Sequence, residues 1–185
     1  MAYVTLAEFR DHLGPIAQSQ TNDAMLALAL AAAEESVNQH CGRTFGAVGA
    51  SETRTFDGGS CRILIDDCSA FTAVTHSVDR TTFSAVTVTP WLEPANTSPK
   101  TTLVATSPFD RWVRVTGTFG YGSTPSSVKT ATLIKAARIF KRRESPTGVE
   151  GSSEFGLVRI TRGEDADCVL LLSPYVRADR TMGLA

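Results

Sequence analysis

The stretch VRVTGTFGYGSTPSSVKTA, residues 113–131, contains the change from strand to helix that decides the fold. Its first half alternates apolar with polar side chains, which predicts a β-strand over Trp112–Phe119. The glycines and the proline that follow predict a turn, because these residues interrupt regular structure. Beyond the proline, the sequence predicts a helix from Val128 to about Arg143, capped by Ser126 or Ser127.

This helix combines an apolar stripe with a basic C-terminal half. The stripe is predicted to consist of Ala131, Ile134, Ala137, Ile139 and Phe140. The basic half has no acid before Glu144 and contains Lys135, Arg138, Lys141, Arg142 and Arg143. Two interpretations are open. The cations either form a solvated face that interacts favourably with the helix dipole, or they contact DNA phosphates without sequence specificity.

The N-terminus predicts a short helix and no secretion signal. A capping box formed by Thr5 and Glu8 starts this helix, which Gly14 ends after about Leu13. A basic segment followed by an apolar one, as in a signal peptide, is missing from these residues. Without export, the cysteines are expected to stay reduced: Cys41, Cys61, Cys68 and Cys168. The longest apolar run, Ala24–Ala33, is too short to cross a bilayer, so no membrane partner is expected.

A second helix, capped by Thr21 or Asn22 and running to about His40, is predicted to be apolar on two faces. One face contains Leu26, Leu30, Ala33 and Val37. The other contains Met25, Leu28 and Ala32. A helix that is apolar on two sides is buried on two sides. We therefore expect the first face to pack inside the subunit and the second to pack against a neighbouring copy.

Residues 44–121 alternate short apolar and polar segments with tight turns between them, which predicts an antiparallel sheet. The expected strands, besides Trp112–Phe119, are Thr53–Phe56, Arg62–Ile65, Phe71–Val78 and Phe83–Val88. The acidic pair Asp66-Asp67 is expected to be a solvated turn. The proline-containing segment Trp91–Ser107 is expected to be a long exposed loop.

The C-terminal part predicts a short β-like segment, Leu157–Ile160, and a last helix, Asp165–Leu172, which Pro174 ends. The order of these elements along the chain predicts an α+β fold. A small helical bundle, residues 1–44 and 122–185, is expected to contain an inserted antiparallel β-sheet or sandwich-like subdomain, residues 45–121.

No group of residues predicts catalysis, a cofactor or a metal site. The histidines are spread over three predicted elements, and no nucleophile, zinc or phosphate-binding motif is present. The glycines of residues 117–122 follow the dinucleotide fingerprint only in reverse order, so a turn is the preferred interpretation. Cys61 and Cys68 lack the second cysteine pair that a zinc site needs.

Charge is distributed unevenly along the chain. Residues 1–110 contain 6 Lys and Arg against 12 Asp and Glu, a balance of -6, whereas residues 111–185 contain 12 against 7, a balance of +5. This asymmetry reflects either solvated faces or a polarised molecule whose basic end meets an acidic partner or a neighbouring subunit.

Taken in this order, the motifs resemble those of the head-tail connector (adaptor) proteins of tailed bacteriophages. In that family a strand with a glycine and aromatic turn leads to a proline and then to an alanine-rich helix that ends in Arg-Arg. The matching segments are the opening helix start at residues 5–8 and residues 23–45, 113–131, 136–149 and 169–175. The resemblance covers residues 3–45 and 112–177 and leaves the β-insertion unmatched.

The resemblance implies a non-enzymatic virion protein, made in the host cytoplasm, that forms a dodecameric ring in the neck. The ring would join the portal protein to head-closure or tail proteins, and genomic DNA would pass through its lumen. The C-terminal segment would become ordered on docking to the portal, through Val169, Leu170, Leu171, Leu172, Tyr175 and Val176. The basic helix would line the DNA channel or meet a neighbouring subunit.

Other interpretations stay open. Another neck or tail-completion protein would bind the tail tube and not the portal. A DNA-binding module unrelated to virions would bind DNA as an isolated monomer, with an affinity that falls steeply with salt. An enzyme without a recognisable motif is the remaining alternative.

Overall fold

A computed structural model describes residues 2–14, 23–46, 49–142, 149–150, 158–159 and 165–177 of the chain. These residues form helices and an antiparallel sheet, which confirms the predicted α+β class. The chain divides into two compact units: a helical unit, residues 1–43 and 125–185, and a β-unit, residues 44–124. No helix within the described ranges is long and apolar enough to cross a membrane.

The helical unit contains α1 (Leu6–Leu13), α2 (Asp23–Cys41), α3 (Ser126–Lys141), α4 (Ala166–Leu172) and a 3-10 helix (Ser173–Tyr175). The predicted cap of α2, Thr21 or Asn22, lies outside the described residues. The serine cap predicted for α3 is wrong, because Pro125 occupies the N-cap position without a side-chain hydrogen bond. The proline ring holds φ at -61°, so the extended cap conformation is present without a capping side chain.

Two short segments near the C-terminus also pair with each other. Val149–Glu150 and Val158–Arg159 form an antiparallel ladder of two residues each. The second strand lies inside the predicted β-like segment, whose end residues 157 and 160 are outside the described ranges.

The predicted capping box of α1 is confirmed. The Glu8 amide donates to Thr5 Oγ1 at 3.2 Å, and the Thr5 amide donates to Glu8 Oε2 at 2.7 Å. This backbone hydrogen bond, together with one from the Thr5 hydroxyl, lowers the pKa of Glu8.

Thr5→Ala should therefore lower the free energy of unfolding by about 1 kcal/mol, because one amide of the first turn loses its acceptor. Urea denaturation followed by ellipticity at the helix band measures this loss. Thr5→Ser keeps the hydroxyl and is the matched control. An equal loss in the serine variant would show that the methyl group, and not the cap, is responsible.

The core of the helical unit lies between α2, α3 and α4. The predicted inner face of α2 is confirmed, since all four of its side chains are buried. Other deeply buried side chains are Phe9, Val128, Ala131, Ala136, Cys168 and Leu172.

The stripe predicted for α3 is wrong in part. Ile139 is 39% exposed, whereas Thr132 and Lys135 are buried. Thr132 is tolerated in the core because its hydroxyl donates to the Val128 carbonyl at 2.8 Å, within the helix itself. Apolar periodicity alone therefore placed the buried face incorrectly, because a polar side chain that satisfies itself locally can join the core.

The β-unit is built on one six-stranded antiparallel sheet: β1 (Glu52–Asp57), β2 (Arg62–Ser77), β3 (Ser84–Ala85), β4 (Trp91–Glu93), β5 (Lys100–Val104) and β6 (Trp112–Phe119). The order is β1-β6-β2-β5-β4, and β3 pairs with β2. The first part of β2 pairs with β5 and the rest with β6 and β3. Side chains from both parts pack in one core, which includes Ile63, Ile65, Leu103, Phe109, Val113 and Val115.

The solvated turn predicted at Asp66-Asp67 is wrong. Both residues lie inside β2, which joins two predicted strands into one, and Asp67 is only 5% exposed. The register of β2 shifts between Leu64 and Cys68, so this irregularity accommodates the acids without ending the strand. Asp66 accepts a hydrogen bond from Arg54 at 2.7 Å, which neutralises its charge at the edge of the core.

The long exposed loop predicted over Trp91–Ser107 is also wrong. β4 and β5 lie within it and pair with each other, and Leu103 and Val104 are buried. Pro94 and Pro99 fall between the two strands, where neither removes a ladder hydrogen bond. The strand predicted over Phe83–Val88 shrinks to Ser84–Ala85.

Candidate interaction surfaces

The outer face of α2 is apolar and exposed over the first half of the helix. It consists of Ala24, Met25, Ala27, Leu28, Ala31 and Ala32. Leu28 is 64% exposed and Met25 is 45% exposed. The polar side chains Glu35 and Gln39 take over the exposed positions farther along the helix. Among the residues that the structure describes, none covers this face, and its predicted contact with a neighbouring copy stays a prediction.

The cations predicted on α3 do not form one surface. Lys135 is 9% exposed, and its Nζ donates to Ser36 Oγ on α2 at 3.1 Å. Its aliphatic stem is part of the α2–α3 packing, and its ammonium group is directed to another helix of the same chain; the contact of Lys135 with DNA or a neighbour stays a prediction. Arg138 donates to the carboxylate of Asp165, at the N-cap of α4, at 3.4 Å. This ion pair joins two helices of the same chain.

Among the predicted cations of α3 that the structure describes, those that are exposed lie at the C-terminal end of the helix. Lys141 and Arg142 are both exposed at this end. Arg143, the last of the predicted cations, lies outside the described residues. Of the four predicted cations that the structure describes, two are therefore exposed, and both lie at the helix C-terminus.

The last helix, α4, has a buried and an exposed apolar side. Leu170 is 73% exposed and Val169 is 39% exposed, whereas Leu172 and Cys168 are fully buried. Leu172 therefore packs in the helical core of the single chain, and its role in docking stays a prediction. The other three candidates are partly buried: Leu171, Tyr175 and Val176.

In the single chain, α4 already contacts the rest of the helical unit, and ordering of the C-terminal segment on docking stays a prediction. Cys168 packs against α3, where its Sγ lies 3.8 Å from the Ala131 carbonyl. The Asp167 amide donates to Asp165 Oδ1, which caps the helix. The Arg177 amide donates to the Cys41 carbonyl at 3.0 Å and ties the following residues to the end of α2.

The β-unit contains an arginine cluster that the sequence analysis missed. Its guanidinium groups stack on aromatic rings: Arg80 over Trp112 at 4.7 Å, Arg111 over Trp112 at 5.6 Å, and Arg114 over Phe83 at 3.7 Å from the ring centroid. The segment Arg111-Trp112-Val113-Arg114 was the available signal, since basic and aromatic residues alternate in it. Arg80 could not be foreseen, because a separate turn brings it to Trp112.

That turn is organised by one carboxylate. Asp79 accepts hydrogen bonds from the hydroxyl of Thr81 and the amides of Thr82 and Thr81, and these lower its pKa well below the usual range; the hydroxyl of Ser77 contributes further. Arg80 lies within the turn at φ 66°, a left-handed conformation that a side chain other than glycine rarely adopts. The turn thereby fixes the direction of the Arg80 side chain.

Arg111 is positioned by the turn between β1 and β2. The Gly58 amide donates to the Arg111 carbonyl at 2.7 Å, and the Gly59 amide donates to the Asp110 carbonyl at 3.0 Å. A Cβ atom on Gly58 would lie 1.9 Å from the Asp110 carbonyl oxygen. Only glycine therefore permits this approach of the two backbones.

The glycines of residues 117–122 have a structural role. A Cβ on Gly117 would lie 2.4 Å from the Ala70 carbonyl oxygen on β2, so this glycine permits close pairing. Gly120, at φ 136°, donates its amide to the Asp67 carbonyl at 2.7 Å. Gly117 lies in β6 and Gly120 directly follows that strand, which agrees with the interpretation of the segment as a strand end and turn.

The four cysteines are free thiols, and Cys41, Cys68 and Cys168 are buried. Within the described ranges, no group of histidine, cysteine and acidic side chains could hold a metal ion.

Comparison with family models and with curated proteins finds no match. Among solved structures, a chain from the neck of the empty gene transfer agent (GTA) particle, determined with C6 symmetry, matches with a TM-score of 0.62 at 16% identity. A chain from the neck of the native GTA particle, determined with C12 symmetry, matches with a TM-score of 0.51 at 17% identity. Each alignment covers 95% of this chain and 90% of the other. The chain has the fold of a neck protein.

A chain from the virion of the native GTA particle gives the same result, with a TM-score of 0.52 at 18% identity. Since 95% of the chain is aligned, the neck-protein fold includes residues of the helical unit and of the β-unit. The β-unit, which matched no motif in the sequence, is therefore part of this fold.

Proposed function

We propose that this chain is a structural, non-enzymatic subunit of a virion neck, where it forms a ring with copies of itself beneath the portal. The fold shared with GTA neck chains over 95% of the sequence is the observation that supports this proposal most directly. The order of motifs along the chain, which resembles that of phage connector proteins, supports it independently.

The outer face of α2 is the proposed contact between neighbouring subunits. Its alanines allow a close approach of another backbone, and burial of Met25 and Leu28 supplies hydrophobic free energy. A ring needs a heterologous contact, in which this face meets a different surface of the next subunit. A dodecameric ring, repeating this contact, would bury the second side of every α2 helix.

The exposed apolar side of α4 is the proposed contact with the portal protein. Val169 and Leu170 would enter an apolar groove, as amphipathic helices do in other complexes. The exposed cations Lys141 and Arg142 would line the DNA channel or meet a neighbouring subunit. Head-closure or tail proteins would occupy the opposite side of the ring.

Leu28→Asp tests the ring contact. A charge at this exposed site leaves the subunit folded but must be desolvated in the ring, so we expect incorporation into particles to fall at least about tenfold. Quantitative mass spectrometry of purified particles measures the copy number, and electron microscopy of the labelled chain gives its position.

Gln39→Lys is the matched control, since it places a charge on the polar end of the same helix. Unchanged incorporation of the Leu28→Asp chain would refute the α2 contact. Wild-type label along the whole tail, or absence from the particle, would refute the neck role itself. Binding to the tail tube without binding to the portal would identify a tail-completion protein.

A further inference from the structure

We propose that the arginine cluster of the β-unit, with the cavity beside it, binds an acidic segment of a partner protein. Carboxylates of the partner would meet the guanidinium groups, and an apolar side chain would enter the cavity. This site goes beyond the proposed ring, because it uses neither the outer face of α2 nor the exposed side of α4.

The guanidinium groups of the cluster are available for a ligand. Arg80, Arg111 and Arg114 stack with aromatic rings, and all three side chains are exposed. Among the residues that the structure describes, none of the three forms an ion pair with a carboxylate. The remaining arginines of the β-unit do so: Arg54 with Glu52 and Asp66, and Arg62 with Glu93. The guanidinium groups of the β-unit that have no carboxylate partner are therefore concentrated at one place.

These donors are held in position before any ligand arrives. The Asp79 turn directs Arg80, the Gly58 contact fixes the backbone of Arg111, and the rings restrict the planes of the guanidinium groups. A side chain that is already ordered loses less conformational entropy on binding. Arginine and tryptophan are also enriched among the residues that contribute most of the binding free energy at protein interfaces.

The cavity beside the cluster has an apolar component. Its volume is about 660 Å³, and its lining includes Arg80 and Trp112 together with Phe56 and Leu64. Leu64 is 60% exposed, and Val78, in the turn next to Arg80, is 71% exposed. The exposed Leu64 lines this concave surface and favours an apolar side chain of a protein, since a nucleic acid backbone gains little from it.

The charges around the cluster also favour a protein segment over DNA. Asp57 lines the cavity, and Asp79 and Asp110 directly precede Arg80 and Arg111 in the chain. These carboxylates repel a continuous polyanion, whereas a single carboxylate can form a bidentate pair with one guanidinium group and avoid them. A segment with separate acidic residues therefore fits this surface better than a row of phosphates.

The test is a titration of the full chain, labelled with ¹⁵N, by a short peptide of alternating leucine and glutamate. The Trp112 indole and the Arg80 and Arg111 side-chain signals report on the site directly. We expect these signals to shift at millimolar peptide and to shift at least about tenfold less with the matching leucine–glutamine peptide. A duplex DNA is the second probe.

Arg80→Gly separates binding from folding. Glycine adopts the left-handed conformation of residue 80 without strain, so this variant removes the guanidinium group while the turn is retained. We expect its affinity for the acidic peptide to fall about tenfold. Lys100→Gln is the control, because the Lys100 ammonium already donates to backbone carbonyls of its own loop.

Each other outcome overturns the proposal. Equal shifts with both peptides, or none at the Trp112 indole, would show that the carboxylates are not recognised there. Tighter binding of the duplex would make the cluster a nucleic-acid site. If the Trp112 and arginine signals shift with protein concentration and not with added peptide, a second copy of the chain occupies the site. Because no ring or portal is present in this titration, its failure leaves the proposed neck function untouched.

Discussion

Replacing Gly58 by alanine is expected to lower the free energy of unfolding of the β-unit by at least about 3 kcal/mol. The new Cβ would lie 1.9 Å from the Asp110 carbonyl oxygen and 2.9 Å from a methyl group of Val113. The first contact is with backbone, which cannot rotate away, and the second is with a side chain of the core. The turn that contains residue 58 must therefore move away from residues 110–111. The hydrogen bond from the amide of residue 58 to the Arg111 carbonyl is then lost.

Tryptophan fluorescence in a urea titration measures this effect selectively, because the chain has two tryptophans and both belong to the β-unit: Trp91 and Trp112. Gly49→Ala is the matched control, since nothing lies within 4 Å of a Cβ at that position and its φ is ordinary. We expect the control to change stability by less than about 1 kcal/mol. Similar urea midpoints for the two variants would mean that the turn at Gly58 can move at little cost in free energy.

Replacing Leu172 by alanine is expected to destabilise the helical unit by about 2–5 kcal/mol. Its side chain is fully buried at the end of α4, so truncation leaves a cavity in the core. Leu170 is two residues earlier and 73% exposed, which makes Leu170→Ala a control of the same chemistry. That control should stay within about 0.5 kcal/mol of the wild type. Thermal unfolding followed by helix ellipticity gives both values.

The same pair of variants tests the proposed portal contact. Leu170→Ala should weaken binding to the portal at least about tenfold, because a leucine that is buried on docking contributes about 1.5–3 kcal/mol. Binding of purified portal, measured by calorimetry, provides the comparison. If Leu170→Ala binds the portal like the wild type, the exposed side of α4 is not the docking surface. If the Leu172→Ala variant is as stable as the Leu170→Ala variant, the Leu172 side chain does not pack in the core as described.

Sequence patterns were reliable where a feature depends on neighbouring residues. The capping box of α1 joins residues three positions apart, and the inner face of α2 follows from a periodicity within one helix. The strand at 112–119 and the last helix are local patterns of the same kind. The predicted second contact of α2 was also a local inference; Leu28 is exposed in the single chain, and the contact itself stays a prediction.

The candidate surfaces were predicted less well, because side-chain exposure depends on distant residues. Five cations on one helix looked equivalent, yet Lys135 contacts Ser36, which is 99 positions away in the sequence. Arg138 likewise meets Asp165, at the start of another helix. Local charge patterns cannot distinguish such internal partners from solvent or DNA.

The sequence by itself therefore determined the α+β class, the approximate positions of the helices and the ends of α1, because capping, backbone restriction and periodicity act over a few residues. Only the tertiary structure decided that Asp66 and Asp67 continue a strand, that Leu172 belongs to the core, and that Arg80 reaches Trp112. In each case the free energy comes from a contact between segments far apart in the chain. A residue's surroundings in the fold, and not its neighbours in sequence, thus decide whether it is buried or available for a partner.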